Sequence, residues 1–399
     1  MSPYRRRCLA LLTASAWPWP APFAAGLAAQ PATDPNADPV RRGRAIVFPR
    51  DHGAHLGVRT EWWYVTGWLA AASDPASATD PGAKLSHGFQ VTFFRSRTGL
   101  AQDLSGRFAP RQLLFAHAAI TELAGKRHWH DQRIVRWSEA PAAATGHAAV
   151  HDAELRLGAW WLQRQAGDEK QAWISHVSAT DFDLHLTLSP SQTRLLQGDA
   201  GFSRKGPDET QASHYYSLPQ LSAQARLAQG GQPRKLQGRA WLDHEWSDTL
   251  LHPEAVGWDW IGMNLFDGSA LTAFMLRRKD GSAVWAGGSF RPGQSPGSPG
   301  TGTGTGTGTG SFEPRQVRWT PGRLWRSPAS AANYPVDWQV QTPAGTFEVR
   351  SLLDSQELDS RASTGSIYWE GLAELLDSRG TRVGLGYLEM TGYAGRLRL

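Results

Sequence analysis

The sequence of 399 residues has a single cysteine, few charged residues and no membrane-length apolar run beyond its N-terminus. A lone Cys8 can form no disulfide within the chain and leaves no thiolate pair for a metal. Charged residues make up 19%, whereas aromatic residues reach 10% with 19 tryptophans, a composition that excludes an intrinsically disordered chain. The 42 glycines and 25 prolines interrupt every heptad pattern and exclude a coiled coil. A soluble, Trp-rich globular protein remains.

The N-terminal segment has the features of a secretory signal peptide. Three arginines at 5–7 precede a short apolar stretch, which ends in small residues. We therefore predict a signal peptide over 1–29, a flexible lead-in over 30–45, and a periplasmic or secreted protein; the arginine pair leaves the twin-arginine route open. Removing the three arginines lowers the net charge from +5 to +2, so no nucleic-acid partner is expected. The mature chain also loses Cys8.

Short aromatic and β-branched runs separated by turn residues indicate an all-β protein. Residues 62–69 are a strand candidate, and the odd positions of 87–94 form one apolar face. Further strands are predicted at 116–122, 173–177, 182–188, 257–265, 271–276, 368–375 and 386–392. The best helix candidate is a short one over 218–227. Many short strands with turns between them favour a sandwich or a barrel.

A segment of repeated Gly-Thr stands apart in the second half of the chain. Residues 295–311 offer no side chains to bury, so we predict a flexible loop inside an expanded hairpin. A domain boundary is predicted near Gly238, after an Arg- and Gln-rich stretch. The resulting domains are 46–238 and 239–399.

The densest group of reactive side chains lies in two Trp-rich runs near the middle of the sequence. Asp243, His244 and Glu245 stand among four tryptophans. In a strand, Asp243 and Glu245 share one face while His244 and Trp246 share the other. A carboxyl group buried there has a raised pKa and suits a general acid. Composition favours the alternative, in which the acids cap turns or pair with arginines and the tryptophans form a core.

Other polar side chains interrupt aromatic runs: Glu61, His87, Arg95, His117, residues 213–217, Glu370 and Glu389. Alternate residues of a barrel strand point inward, so some of these groups must face an interior. Buried charge is costly unless it is paired, and Glu61, Arg95, Glu370 and Glu389 are therefore candidate partners of one another. No metal site is expected, because the sequence lacks His-Glu-x-x-His and adjacent strand residues point to opposite sides.

Seven short sequence blocks, spread in order from residue 46 to the C-terminus, carry a resemblance to a known family. They are EWWYVTG from 61, FQVTFFR from 89, SHYYSLP from 213, DHEWS from 243, GWDW from 257, YWEG from 368 and GYLEMTGY from 386. Together they resemble the lipocalin-like AttH family, which is related to carotenoid 1,2-hydratase (hydroxyneurosporene synthase, CrtC). The resemblance implies an all-β fold of two consecutive lipocalin-like antiparallel β-barrel domains with few short helices. It also implies an apolar cavity for an isoprenoid or another long lipid.

The resemblance further implies a hydro-lyase that adds water to a terminal double bond without a cofactor. Such a reaction needs an acid for the alkene, indole faces for the cation and one water molecule. The His-x-Trp pair of the hydratases matches His244 and Trp246, whereas their Tyr-x-Asp has no match. Asp259 and Asp243 are therefore the candidate proton donors, ahead of Asp267. The candidate substrate-binding residues are Trp62, Tyr64, His87, His214, Tyr215, Tyr216, Glu245, Trp258, Trp260, Tyr368, Trp369 and Glu370.

Three functions stay open for these residues. The first is an exported enzyme that hydrates or hydrolyses an apolar isoprenoid-like or lipid substrate, and the second is a non-catalytic periplasmic lipid carrier. The third is a carbohydrate-binding or carbohydrate-cleaving protein, which would place Trp258 and Trp260 in an open groove rather than a closed pocket. We favour the lipid-binding lipocalin-like protein, with hydro-lyase activity as its candidate chemistry. The expected partners are an apolar small molecule or lipid and, peripherally, a membrane surface.

Overall fold

The computed structural model describes residues 39–72, 84–99, 110–137, 146–165, 171–249, 251–293 and 310–396. These residues form strands and two short 3₁₀ turns, Arg50–His52 and Pro314–Gln316, and they contain no α-helix. None of their elements is a helix with the length and apolar character of a membrane span. The predicted signal peptide lies outside the described residues, as do positions 30–38 of the lead-in and 295–309 of the Gly-Thr loop.

The first sheet curls around one core. Within the described chain its thirteen strands are β1 (Thr60–Ala71), β2 (Leu85–Arg97), β3 (Gln112–Glu122), β4 (Arg127–Arg136), β5 (Gly146–Ala148), β6 (Glu154–Leu157), β7 (Trp160–Arg164), β8 (Trp173–Ser178), β9 (Asp183–Ser189), β10 (Leu195–Leu196), β11 (Phe202–Arg204), β12 (Ala212–Gln229) and β13 (Gln232–Ser247). Their antiparallel order is β4-β3-β2-β1-β13-β12-β9-β8-β7-β6-β5, and β10 and β11 pair with β12. Because β6 packs against β3 and β4, the sheet is a nearly closed barrel.

The second sheet follows in sequence. Its strands are β14 (Gly257–Leu265), β15 (Ala270–Arg277), β16 (Ala283–Arg291), β17 (Gly310–Phe312), β18 (Arg318–Pro321), β21 (Asp337–Thr342), β22 (Gly345–Ser351), β23 (Glu357–Ser360), β24 (Ser366–Leu376) and β25 (Arg382–Met390), while β19 (Leu324–Arg326) and β20 (Asn333–Pro335) pair separately. The order is β17-β16-β15-β14-β25-β24-β22-β21-β18, with β23 on β24. The predicted all-β fold with two barrel-like parts is confirmed.

Alternation along β13 separates a core face from an outer face. His244 and Trp246 point into the barrel core, whereas Asp243 and Glu245 point outward. Strand β1 follows the same alternation, because Trp62 is the cross-strand partner of Glu245 and shares its outer face. The predicted division of these residues between two faces therefore holds, and only one of the faces meets the second sheet.

The outer faces of β1, β12 and β13 pack against β14 and β25 of the second sheet. Large buried side chains join the two layers: the ring of Trp260 lies 5.3 Å from that of Tyr64 and 6.4 Å from that of Trp241. Leu372 and Leu385 belong to the same buried cluster. This cluster surrounds the cavity described below.

The predicted helix over 218–227 is wrong, because these residues belong to β12. A bulge at Gln220, whose φ is 58°, shifts the register so that Leu218 and Leu221 both face the core. That spacing of three imitates a helix. Beyond the bulge, buried and exposed residues alternate one by one up to Leu227, which is the period of a strand.

The passage between the two sheets comes after the predicted boundary. Gly238 lies inside β13, where a Cβ atom would overlap the carbonyl oxygen of Trp68 on β1. The chain leaves the first sheet at Ser247 and enters the second at Gly257. Further on, β16 and β17 pair antiparallel on either side of the Gly-Thr segment, as an expanded hairpin requires, and positions 310–311 of the predicted loop begin β17.

Candidate functional site

A cavity of about 870 Å³, measured with its opening, lies between the outer face of the first sheet and the second sheet. Eight of the eighteen described lining residues are aromatic: Trp62, Tyr64, Phe94, Tyr215, Trp258, Trp260, Phe274 and Tyr368. The other lining residues are Thr92, Lys205, Asp243, Glu245, Ser247, Thr249, Leu251, Leu276, Glu370 and Glu389. An apolar wall with a few fixed polar groups is typical of a small-molecule site.

Two carboxyl groups meet on the wall that the second sheet supplies. Glu370 of β24 and Glu389 of β25 are direct cross-strand partners, which places their Cβ atoms about 5 Å apart. Burial raises the pKa of Glu370 well above its usual range, and the charge of Glu389 raises it further. Burial also raises the pKa of Glu389 to about 7, although a side-chain interaction with Trp258 opposes the shift. Because two like charges this close disfavour each other, the pair favours a state in which one proton is retained.

Glu370 is the member of the pair that is placed to donate this proton to a ligand. Its side chain is 2% exposed, and its Oε1 atom has no hydrogen-bond partner among the described residues. The phenol of Tyr64 lies near enough to lower the pKa of Glu370, but its geometry falls short of a hydrogen bond, and Tyr64 Oη is unpaired as well. A buried carboxyl oxygen without a partner is costly unless a ligand or water meets it.

A chain of hydrogen bonds from the first sheet orients Tyr368. The amide nitrogen of Gln132 donates to a backbone carbonyl, so its Oε1 accepts from Ser363 Oγ at 2.6 Å. Ser363 therefore accepts from His117 Nε2 at 2.8 Å, and His117 Nδ1 accepts from the hydroxyl of Tyr368 at 2.8 Å. Burial lowers the pKa of His117 to about 3, which keeps this imidazole neutral. The lone pairs of Tyr368 are left to accept a hydrogen bond from protonated Glu370.

Asp243 faces the cavity from the first sheet. Its Oδ2 accepts from Tyr215 Oη at 2.8 Å, and its Oδ1 accepts from Ser217 Oγ at 2.5 Å and from Trp241 Nε1 at 2.6 Å. Burial raises the pKa of Asp243 to about 7 because desolvation outweighs these three hydrogen bonds. When Oδ2 is protonated, it donates to Tyr215 and frees the hydroxyl hydrogen of Tyr215 for another acceptor.

One cation, Lys205, lies among the described lining residues. Lys205 Nζ lies 2.9 Å from Glu245 Oε1, which also accepts from Ser213 Oγ at 2.5 Å. The ammonium group stands 4.3 Å from the ring centre of Phe274 and 5.0 Å from that of Tyr215. It is thus held by one carboxylate and two aromatic faces.

The cavity gathers nine of the residues predicted from sequence and leaves seven elsewhere. The nine are Trp62, Tyr64, Tyr215, Asp243, Glu245, Trp258, Trp260, Tyr368 and Glu370. The seven are His87, His214, Tyr216, His244, Trp246, Asp259 and Trp369. Whether a predicted residue lines the cavity depends on which face of its strand it occupies, and not on how many polar or aromatic residues its sequence block contains.

His244 lies in the barrel core, on the opposite side of β13 from the cavity. Its Nε2 atom is 2.9 Å from Glu61 Oε1, and its ring stacks on Trp63 at 4.5 Å. Glu61 in turn binds Arg95 Nε at 2.8 Å and His55 Nδ1 at 2.7 Å. Burial lowers the pKa of His244 to about 4, so the imidazole is neutral at pH 7. His244 therefore belongs to a buried ion network, in which the predicted pairing of Glu61 with Arg95 is realised.

The other six residues outside the cavity also have local partners. Trp246 stacks on His55 at 3.8 Å, Tyr216 contacts His52 Nδ1 at 2.6 Å, Trp369 donates to a backbone carbonyl at 2.6 Å, His87 contacts Ser86 Oγ at 2.9 Å, and His214 tilts against Trp246 at 5.5 Å. Asp259 is paired with Arg277 at 3.1 Å and accepts from Tyr393 at 2.9 Å. Burial raises the pKa of Asp259 to about 6, but its oxygens face these partners.

Sequence reasoning missed some lining residues for identifiable reasons. Thr92 and Phe94 occupy the even positions of 87–94, opposite the recognised apolar face, so the same alternation could have found them. The sequence marks Glu389 as a polar group in an aromatic run, but its role depends on facing Glu370 on the neighbouring strand. Lys205 follows the short strand β11, and no sequence pattern marks it.

Comparison with known proteins agrees with this architecture. The family model described as AttH-like matches residues 39–393, most of the chain. The chain belongs to the AttH-like family. A putative AttH from Nitrosomonas europaea is 41% identical, with a TM-score of 0.76 over 89% of this chain and 99% of that one. The resemblance carried by the seven sequence blocks is thereby confirmed.

A hydratase shares the fold of this AttH-like chain. Kievitone hydratase from Nectria haematococca superposes with a TM-score of 0.62 over 90% of this chain and 97% of its own, at 14% identity. At that identity the likeness extends to the fold alone. No curated protein matches the chain.

Proposed function

We propose that this AttH-like protein is a hydratase that adds water to a carbon–carbon double bond of an apolar substrate in the cavity between the sheets. The observation that carries the proposal is Glu370, a buried carboxyl with a raised pKa and an unpaired oxygen inside an aromatic wall. A raised pKa favours the protonated form of such a group, and this form suits a general acid. Family membership, and a fold shared with kievitone hydratase, support the reaction class.

The reaction runs as a proton addition followed by capture of water. The O–H of Glu370 protonates one alkene carbon, and the other carbon becomes a cation. The indole faces of Trp258 and Trp260 stabilise this charge by cation–π attraction. A water oxygen then bonds to the cation and loses a proton to the ionised Glu389. The carboxyl pair ends with one proton, as it began, and the product has gained H and OH.

The shape of the cavity supports an apolar substrate over a sugar. Trp260 is 7% exposed and Trp258 is half-buried, both inside the cavity. A carbohydrate site on these two residues requires an open groove. The carrier function uses the same cavity but makes no use of a protonated carboxyl pair, so turnover separates it from the hydratase.

The test is water addition to alkenyl substrates by the purified protein. Kievitone and an acyclic carotenoid are the first probes. Mass spectrometry of reactions in ¹⁸O-labelled water detects a product that has gained one water molecule. Glu370→Gln should lower turnover by about 10²–10⁴-fold because it removes a general acid while keeping the side-chain volume. Glu348→Gln, at a half-exposed glutamate paired with Arg350, is the matched control.

The outcomes distinguish the two lipid functions. Turnover that survives Glu370→Gln unchanged would refute the assigned acid. A wild-type protein that retains an extracted apolar ligand, yet adds water to none of a panel of alkenyl probes, would support the carrier instead. Native mass spectrometry with organic extraction identifies any such ligand. Export to the periplasm remains part of the proposal, supported by the character of residues 1–29, and cell fractionation tests it.

A further inference from the structure

Two histidines and an aspartate meet on the outer face of the first sheet. His176 of β8 and His185 of β9 are direct cross-strand partners, and their rings stack with centroids 3.9 Å apart. Asp183 bridges them, since its Oδ2 lies 2.9 Å from His176 Nε2 and its Oδ1 lies 3.2 Å from His185 Nε2. The three side chains are 20%, 47% and 40% exposed in the order His176, His185, Asp183, so solutes reach them.

These contacts leave a set of ligand atoms directed at one place. Each imidazole needs only one N–H to donate to the carboxylate, so both rings satisfy the geometry in the neutral form that binds metals. A metal at Nε2 moves the ring hydrogen to Nδ1, and no net proton is lost from a neutral imidazole.

The existing interactions are weak enough to be exchanged for a metal. Ion pairs between partly exposed side chains contribute little to stability. The ligand atoms of the three residues all lie within 4.8 Å of one another. A tetrahedral zinc ion with bonds of about 2.0–2.2 Å separates its ligand atoms by about 3.4 Å. The contacts of 2.9 and 3.2 Å approach that spacing, so small side-chain rotations suffice.

We propose that His176, Asp183 and His185 form a binding site for a late first-row divalent metal ion, represented by zinc or copper. Two imidazole nitrogens and one carboxylate oxygen are the donors these ions prefer, and exposure leaves the remaining positions to water. The site is independent of the proposed hydratase cavity. The buried group His55–Glu61–His244 is a poorer candidate, because Arg95 already neutralises its carboxylate.

Two neighbours of the site affect the test. Arg226 of β12 is the cross-strand partner of His185, and its positive charge opposes a bound cation. Trp161 of β7 is the partner of His176, with ring centroids 6.1 Å apart. Arg226→Ala should therefore tighten metal binding, and Trp161 provides a local fluorescence reporter for copper.

The experiment titrates untagged full-length protein with zinc chloride in a non-chelating buffer, followed by calorimetry. Wild type should bind one zinc per chain at this site, and His176→Asn or His185→Asn should weaken that binding at least about tenfold. The exposed His151, outside the group, supplies the control His151→Asn, which should leave binding unchanged. Binding should weaken as pH falls through the histidine range, because protons compete for the imidazoles.

Two further readouts keep the proposal open to refutation. Zinc should raise the Tm of the wild type but not of His185→Asn, since only a ligand held by the native state stabilises it. Copper should quench part of the fluorescence, and Trp161→Phe should remove that part. Zinc binding of equal affinity in wild type and both histidine variants, or no zinc bound by wild type, would overturn the site.

Discussion

Replacing Asp243 by asparagine should make the protein more stable at alkaline pH. The Asp243 carboxyl receives three hydrogen bonds, from Tyr215, Ser217 and Trp241. An asparagine keeps its Oδ1 as acceptor for two of these donors and turns its amide toward the Tyr215 oxygen. It thus reproduces the hydrogen bonds of the protonated aspartic acid without a group that ionises.

The size of the effect follows from the raised pKa of Asp243. That pKa is about 7 in the folded protein against 3.8 for an ordinary aspartate, so between these values the native state holds a proton that the unfolded chain has lost. The resulting stability is fully present below the unfolded pKa and is lost as pH rises toward 7. Each pKa unit corresponds to 1.36 kcal/mol, which gives about 4 kcal/mol over the whole window and about 3 kcal/mol between about pH 5 and about pH 8.

Urea denaturation of wild type and Asp243→Asn at several pH values measures this term. The buried histidines are common to both proteins, so subtracting the two curves leaves the contribution of Asp243, including the rise that its charge causes in the pKa of Glu389. The exposed Asp181 provides the control Asp181→Asn, which should follow the wild type. A difference that does not change with pH, or a wild type that gains stability relative to the variant as pH rises, would mean that the three hydrogen bonds outweigh desolvation and would refute the reasoning.

Two other substitutions test the framework around the cavity. Arg95→Met should lower the free energy of unfolding by about 3–5 kcal/mol, because it leaves the fully buried Glu61 without its guanidinium partner; a loss below about 1 kcal/mol in urea would contradict a paired network. Gly238→Ala should cost at least about 1–3 kcal/mol, since its Cβ would overlap the Trp68 carbonyl and separate β1 from β13. An unchanged Tm for Gly238→Ala would show that the backbones of β1 and β13 do not approach each other this closely at Gly238.

Much of the fold was predictable because the strands combine aromatic content with clear boundaries. The predicted strand over 257–265 has the same bounds as β14, where Gly257 begins the strand and a turn ends it. The interpretation of 218–227 as a helix fails for a local reason. The bulge at Gln220 cannot be read from composition, and it brings Leu218 and Leu221 to one face.

The candidate site was predictable only within single strands. Alternation correctly assigns Asp243 and Glu245 to one face of β13, but it does not say which face meets a cavity. Imidazole is a common catalytic group, so the sequence points to His244, but the cavity lies on the opposite face of β13. The pairing of Glu370 with Glu389 depends on the register of β24 against β25, which involves residues nineteen positions apart and no local pattern.

The two walls of the cavity come from different halves of the chain, and one carries the acid groups while the other shapes the space for a ligand. The carboxyl pair Glu370 and Glu389 comes from the second sheet, whereas Trp62 and Phe94 of the opposite wall come from the first. Changes at Trp62 or Phe94 can alter the shape available to a ligand without moving the acid. Relatives can therefore diverge in ligand preference through one half while the proton chemistry stays with the other, so variation confined to the first wall is where differences in specificity should be sought.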